Sequence, residues 1–288
     1  MMNEKTEFEV LMGSTRTLEV TKLMDFGVYL NAGNLGSVLL PNKHAPSGLR
    51  AGDSLRVFLY MDSEDRPVAT TQRPRAQVGQ FAYLEVVAST EVGAFLDWGL
   101  DKDVLVPFSE QHRPMAVGHS YLVHLYLNAA DGRITASSKI DKFLDDDAPH
   151  DFVAKQAVKL IIANSTELGY KAIINHSHWG VLYKNEVHQR LSFGQRIDGF
   201  IRRIRADGKI DLSLQGGQVS RDKYAKAIVD HLVKQGGFAA VHDKSDPQLI
   251  AKLFGMSKGA FKKAIGGLYK QRVIEIEKNG IRLTQSPE

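Results

Sequence analysis

Cysteine is absent from this chain of 288 residues, which excludes disulfides, a thiolate zinc site and a catalytic thiol. No window approaches the roughly 18 consecutive apolar residues that a membrane helix requires. The first residues, Met1 to Val10, carry acids and no apolar core, so a signal peptide is not expected. A P-loop is missing, as are a defensible Ser/His/Asp order and paired carboxylates in a readable site. The sequence is therefore read as that of a non-enzyme without a cofactor. These absences point to a cytoplasmic globular protein with no membrane contact, and a composition of 43% hydrophobic and 24% charged residues agrees.

What is present is unevenly distributed. The net charge is +4, yet residues 1–150 hold 14 basic and 20 acidic side chains, whereas residues 151–288 hold 23 and 13. A polyanion is expected to meet mainly the C-terminal half.

Spacing shows a triplication. A glycine in a hydrophobic strand recurs at Gly27 (DFGVYLN), Gly93 (EVGAFLD) and Gly169 (ELGYKAI), and a second follows 25 residues later at Gly52, Gly118 and Gly194. Thirteen residues beyond stand Asp65, Asp131 and Asp207, and three further on Val68, Ile134 and Ile210 open a last strand. In the second unit, Phe81 to Val87, Gly93 to Trp98, Val104 to Pro107, Ser120 to Tyr126 and Arg133 to Ser137 read as β-rich runs between turns. Five short strands in about 70 residues fit a small OB barrel. The first glycine is expected to mark a bulge or barrel bend, and the second a tight turn. The barrels are expected over 1–72, 73–145 and 150–217, with Asp145-Asp146-Asp147-Ala148-Pro149 as a solvated acidic linker.

Alternation then locates an outer face. With Val28 and Leu30 inward, Tyr29 points outward beside Asn31, and Phe95 likewise shares a face with Asp97. An outward aromatic either packs on a neighbouring barrel or offers a surface for stacking, worth roughly 1–3 kcal/mol per base. The third unit carries Lys171 there, exchanging stacking for phosphate attraction. Its GFIRRIR run supplies Arg202, Arg203 and Arg205, with Lys209 close behind, and guanidinium groups both pair with phosphate and stack on bases. His176 and His178 have same-face strand spacing, but no third ligand lies nearby, so no metal site is expected.

The runs DFGVYLN and EVGAFLDWG…VLVPFSE…VGHSYLVHL…DGRITAS resemble the S-one RNA-binding domain, an OB fold of ribosomal-protein type. That resemblance implies exposed aromatics just before and two after the first glycine, a histidine fourteen after it, and a basic residue near the final strand. Phe26 and Tyr29 fill the aromatic pair in the first repeat; Phe95 fills one place in the second, beside Val92; the third has Leu168 and Lys171. Pro41, Pro107 and Tyr183 stand at the histidine place, so only Tyr183 could stack there. The basic place holds Arg133 and Lys209, and Pro67 in the first repeat, with Arg66 one position off.

After Gln215-Gly216-Gly217 the apolar period changes from two to 3.6. Tyr224, Ala227, Ile228 and Leu232 form one helical stripe, ended by Gly236-Gly237. Ser245-Asp246-Pro247-Gln248 resembles a capping box before Leu249, Ile250, Leu253 and Phe254, and Gly255 ends that helix. Ser257 caps another, with Phe261, Ala264, Ile265 and Leu268 on its buried face. Its opposite face holds Gly259, Lys263, Gly266, Gly267 and Lys270, with Lys258 and Lys262 near the edges. Glycines there would let a phosphate chain approach the backbone closely. Lys278-Asn279-Gly280 joins two strands as a wing, so 221–288 is expected to be a winged helix-turn-helix.

GMSKGAFKKAIGGLYKQRVIEIEKNGIRLT and the three barrels before it resemble the conserved virulence factor B family of low-GC bacteria. The resemblance implies an RNA-binding regulator of gene expression with no catalytic domain. Single-stranded RNA, bound with little sequence specificity through the third barrel and winged helix, is the leading expectation. Duplex DNA binding by the winged helix, and a non-catalytic adaptor on ribosome or RNA polymerase, are the alternatives.

Overall fold

The computed structural model describes residues 11–64, 66–146, 151–184, 187, 190–214 and 217–284. Met1 to Val10, Asp65, the Asp147–Pro149 part of the linker, and Gln215-Gly216 lie outside the described residues. The fold is mainly β: three closed five-stranded barrels and a small winged-helix region. The first barrel comprises β1 (Thr15–Met24), β2 (Gly27–Asn31), β3 (Ser37–Pro41), β4 (Ser54–Met61) and β5 (Pro67–Thr70). The second comprises β6 (Phe81–Thr90), β7 (Gly93–Asp97), β8 (Val104–Pro107), β9 (Ser120–Leu127) and β10 (Ile134–Ser137). The third comprises β11 (Ala157–Ser165), β12 (Gly169–Ile174), β13 (His178–Tyr183), β14 (Arg196–Ile204) and β15 (Ile210–Ser213). In each, the third and fifth strands pair in parallel, through Leu39 with Val68, Leu105 with Thr135, and Val181 with Asp211.

The repeated glycines act in a more specific way than their sequence setting suggests. Gly27, Gly93 and Gly169 open their strands, and the bulges sit opposite, between Val20 and Lys22, Val86 and Ala88, and Ile162 and Asn164. A Cβ on the three glycines would stand 2.5, 2.3 and 2.0 Å from the carbonyl oxygens of Leu40, Val106 and Leu182. The requirement is close approach of the next strand, which no side chain permits. Gly52, Gly118 and Gly194 form the expected turns, with φ of 92°, 78° and 76°. Their N–H groups donate to Val20, Val86 and Ile162, the residues just before the bulges, at 2.8, 2.9 and 2.7 Å.

The repeat register changes near its end. Leu59 pairs with Ala69, Leu125 with Ala136, and Ile201 with Leu212. Val68 therefore occupies the place of Thr135 and Asp211, not that of Ile134 and Ile210. Pro67 takes the latter place and Arg66 falls into line with Arg133 and Lys209. Their carbonyls accept from Asp62, Asn128 and Arg205 respectively. The first hairpin is one residue shorter than the constant spacing implied, and the third unit absorbs its residue as a bulge between Ile201 and Arg203.

Residues Met1–Phe143 form one compact unit and Leu144–Glu288 a second. Within the first, the two barrels share a core. Phe58, Tyr60 and Val68 of the first are buried with Leu96, Trp98, Leu100 and Val104 of the second, and the Phe58 and Trp98 rings meet edge-on at 5.6 Å. Around this seam Asp101 pairs with Lys43, stands 3.2 Å from His44 Nε2, and accepts from Gln72 at 2.7 Å.

In the second unit, α1 (Gly217–Lys234), α2 (Pro247–Phe254) and α3 (Lys258–Lys270) pack with the sheet β16 (Phe238–Ala239), β18 (Ile281–Leu283) and β17 (Ile274–Ile276), in that order. Ile228, Leu232, Ile250, Phe261, Ile265, Ile274 and Ile281 form the core. Strand β16 carries no sequence signal beyond two residues after Gly237. The cap of α2 is Asp246, accepting from Gln248 and Leu249 N–H, and not Ser245, whose hydroxyl accepts from His242. Ser257 caps α3 as expected.

Candidate nucleic-acid interface

Register places one cross-strand row on the outside of each barrel. The rows are Tyr29–Leu39–Val68–Tyr60, Phe95–Leu105–Thr135–Tyr126 and Lys171–Val181–Asp211–Arg203. Directly paired residues share a face, so these rows are three versions of one surface.

In the first row, Phe26 is 54% exposed and its ring meets the half-buried Tyr29 edge-on at 6.3 Å. The other end is closed, because Tyr60 and Val68 lie in the seam with the second barrel. Arg66 holds the basic place, but its guanidinium is taken by Asp62 at 2.8 Å and Glu64 at 2.7 Å. The first barrel thus offers an aromatic edge whose Tyr29 is paired across β1 with the exposed Lys22.

The second row lines a cleft of about 280 Å³. Phe95, Leu105, Arg133 and Thr135 line it together with Tyr60 and Met61 of the first barrel. Tyr126 is flanked by Phe143, with ring centroids 5.5 Å apart, and by the Lys142 ammonium. Burial pushes the Tyr126 phenol pKa up.

The third row is charged. Lys171 Nζ rests 3.8 Å from the centre of the buried Trp179 ring, a cation–π contact that holds the amine over barrel three's surface. The three-arginine run is not three unencumbered cations. Asp211, fully buried, accepts from Arg203 Nε at 2.6 Å and Arg205 Nε at 2.7 Å, and Tyr183 donates to it at 3.2 Å. Arg205 also donates to the Tyr183 hydroxyl. Burial alone would raise the Asp211 pKa, but the arginine hydrogen bonds outweigh it and hold the carboxyl below its ordinary value. Arg202, Arg203 and Lys209 remain exposed, and Arg205 is half-buried. Sequence reasoning passed over Asp211, although alternation in Ile210-Asp211-Leu212 sets it outward, opposite Arg203.

On α3, Lys262, Lys263 and Lys270 are exposed, as is Lys278 in the wing. Lys262 lies 3.8 Å from Asp243, and Lys258 donates to the Lys244 carbonyl at 3.1 Å. A Cβ on Gly266 or Gly267 would meet nothing within 4 Å, so internal packing does not require either glycine. His176 belongs to a turn with φ of 61°, and His178 packs 5.2 Å from Phe152. Among the described residues no group of three or more histidine and carboxylate side chains could hold a metal, and no helix is long and apolar enough to cross a membrane.

Residues 12–72 and 78–139 match the S1 domain family, and residues 226–283 match the CvfB-like winged helix domain. The third barrel lies outside these stretches and is identified by its strand pairing. The uncharacterized protein YitL of Bacillus subtilis is 30% identical over 275 residues, covering 90% of this chain and 89% of that protein. Conserved virulence factor B of Staphylococcus epidermidis is 28% identical over 292 residues, covering 96% and 95%. A crystal structure of a multidomain protein with nucleic acid binding domains from Streptococcus pneumoniae aligns over 95% of this chain and 99% of that one, at 23% identity and a TM-score of 0.40. From the near full-length similarity and the order of its S1 and winged-helix regions, the chain belongs to the conserved virulence factor B family.

Proposed function

We propose that this protein is a cytoplasmic, non-catalytic RNA-binding regulator of gene expression that holds single-stranded RNA with little sequence preference. Its S1 barrels and winged helix support a nucleic-acid-binding role. The observation that carries the finer reading is the shared outer row, where Tyr29, Phe95 and Lys171 occupy one place on three barrels. Aromatics there suit unpaired bases, because a duplex keeps its bases stacked on each other. Arg202, Arg203, Arg205, Lys209 and the exposed lysines of α3 and the wing supply phosphate attraction, concentrating affinity in the third barrel and winged helix. The middle of α3 presents glycine and lysine and none of the bidentate Asn, Gln or Arg contacts that read bases in a groove.

The test is titration of the full chain with a short single-stranded RNA and an equal-length duplex DNA, at low and moderate salt. Trp179, beneath Lys171, reports on the third barrel. Tight, salt-sensitive binding of the single strand, with weaker duplex binding, is the expected result. Preference for the duplex would move function to the winged helix, and no binding to either would leave a protein adaptor.

A further inference from the structure

Around the outer face of the second barrel four carboxylates are disposed very differently. Asp97 is held by Arg75 at 2.6 Å, Asp101 by Lys43, and Asp131 Oδ1 accepts the Arg133 N–H at 3.0 Å. Asp103, half-buried in the cleft beside Phe95, makes no hydrogen bond or ion pair among the described residues. Val104 and Val106 point into the barrel, which sets Asp103 and Leu105 outward on the Phe95 face. An ionised carboxylate partly withdrawn from water has lost hydrogen-bond donors, and it gains most from a ligand that brings two. Burial, with Asp97 nearby, pushes the Asp103 pKa up, in keeping with that loss.

We propose that this cleft seats one unpaired guanine, with the base against Phe95 and its Watson–Crick edge on the Asp103 carboxylate. The inference rests on the single-stranded RNA reading above and adds one chosen base to an otherwise tolerant track. Guanine alone among the four bases offers two adjacent donors on that edge, N1–H and the N2 amino group, matching the two carboxylate oxygens. Adenine and cytosine each put a ring-nitrogen acceptor beside the amino group, and uracil flanks one N–H with two carbonyls. Each would set a lone pair against the carboxylate. Pairing in a duplex occupies the same edge, so the site selects a single strand. Tyr60 and Met61 come from the first barrel, so the seam between the two barrels is what completes the slot.

Fluorescence anisotropy of labelled seven-nucleotide RNAs with the full chain tests this: uridines throughout, or with a central guanine, adenine, cytosine or inosine. The guanine strand is expected to bind about tenfold more tightly than the others, and inosine, lacking the N2 amino group, to lose most of that advantage. Asp103→Asn and Asp103→Ala should abolish the preference while leaving the all-uridine affinity within about twofold. Equal binding of every strand, or a preference that survives both substitutions, overturns the inference while the RNA-binding reading stands. Binding of no strand overturns both. Competition by free guanosine 5′-monophosphate as strong as by the guanine strand would replace RNA by a free nucleotide as the ligand.

Discussion

Asp211 changes what the arginine run of the third barrel can do. In the other barrels its place is taken by Val68 and Thr135, and only here does a buried carboxylate stand under the surface row. It fixes two guanidinium groups and the Tyr183 hydroxyl in one network, so Arg203 and Arg205 present oriented N–H groups while half their charge is neutralised from below. Hydrogen bonds to a charged group contribute about 1.5–3 kcal/mol. Asp211→Asn is expected to destabilise the third barrel by about that amount, measured by denaturant unfolding. The folded-state pKa of Asp211 lies below its unfolded value, so the stabilisation is complete above the ordinary carboxylate range. It is lost as pH falls through the folded pKa. In the Asn variant, the acid-side loss of stability should be correspondingly shallower. An unchanged acid limb would remove Asp211 from this account.

Strands and helices show two opposite uses of glycine. At the opening of β12, a Cβ on Gly169 would stand 2.0 Å from the Leu182 carbonyl oxygen, so the neighbouring backbone has to move. Gly169→Ala is expected to cost about 1–3 kcal/mol, as overpacking does. On α3 the space over Gly266 and Gly267 is open, and each glycine costs the helix about 1 kcal/mol relative to alanine. The double change to alanine should therefore raise the thermal stability of the winged helix while weakening RNA binding, if the bare backbone is a contact surface. Higher stability with unaltered affinity would leave these glycines without that role. The barrels themselves were legible from spacing, because glycines that prevent a clash cannot drift from the strands they serve. Arg66 was not: a one-residue difference in hairpin length is invisible until the strands pair. The seam was also hidden, since Phe58, Tyr60 and Val68 read as ordinary strand residues, and nothing local tells which neighbour covers an outward face.

The charge map of the chain meets a structural division at nearly the same point. The excess of acids lies in the unit of Met1–Phe143, whose barrels share a core, and the excess of bases in Leu144–Glu288. In the first unit four of the 14 cations are engaged in ion pairs among the described residues: Lys43 with Asp101, Arg66 with Asp62 and Glu64, Arg75 with Asp97, Lys142 with Glu110. Those four cations have less charge to exchange for the counterions of a nucleic acid, and the acids of the unit outnumber its bases. In the winged helix Lys263, Lys270 and Lys278 are exposed and make no ion pair among the described residues. Binding to a single strand loses about 0.7 in the slope of log affinity against log salt for each phosphate contact removed. Replacing Lys263, Lys270 and Lys278 together by glutamine should therefore flatten the slope by up to about 2. Replacing Arg50, Arg56 and Arg73 of the first unit, where acids predominate, should leave it nearly unchanged. Equal flattening by both sets would mean that RNA lies across both units alike, and the division of labour between aromatic and cationic halves would fall.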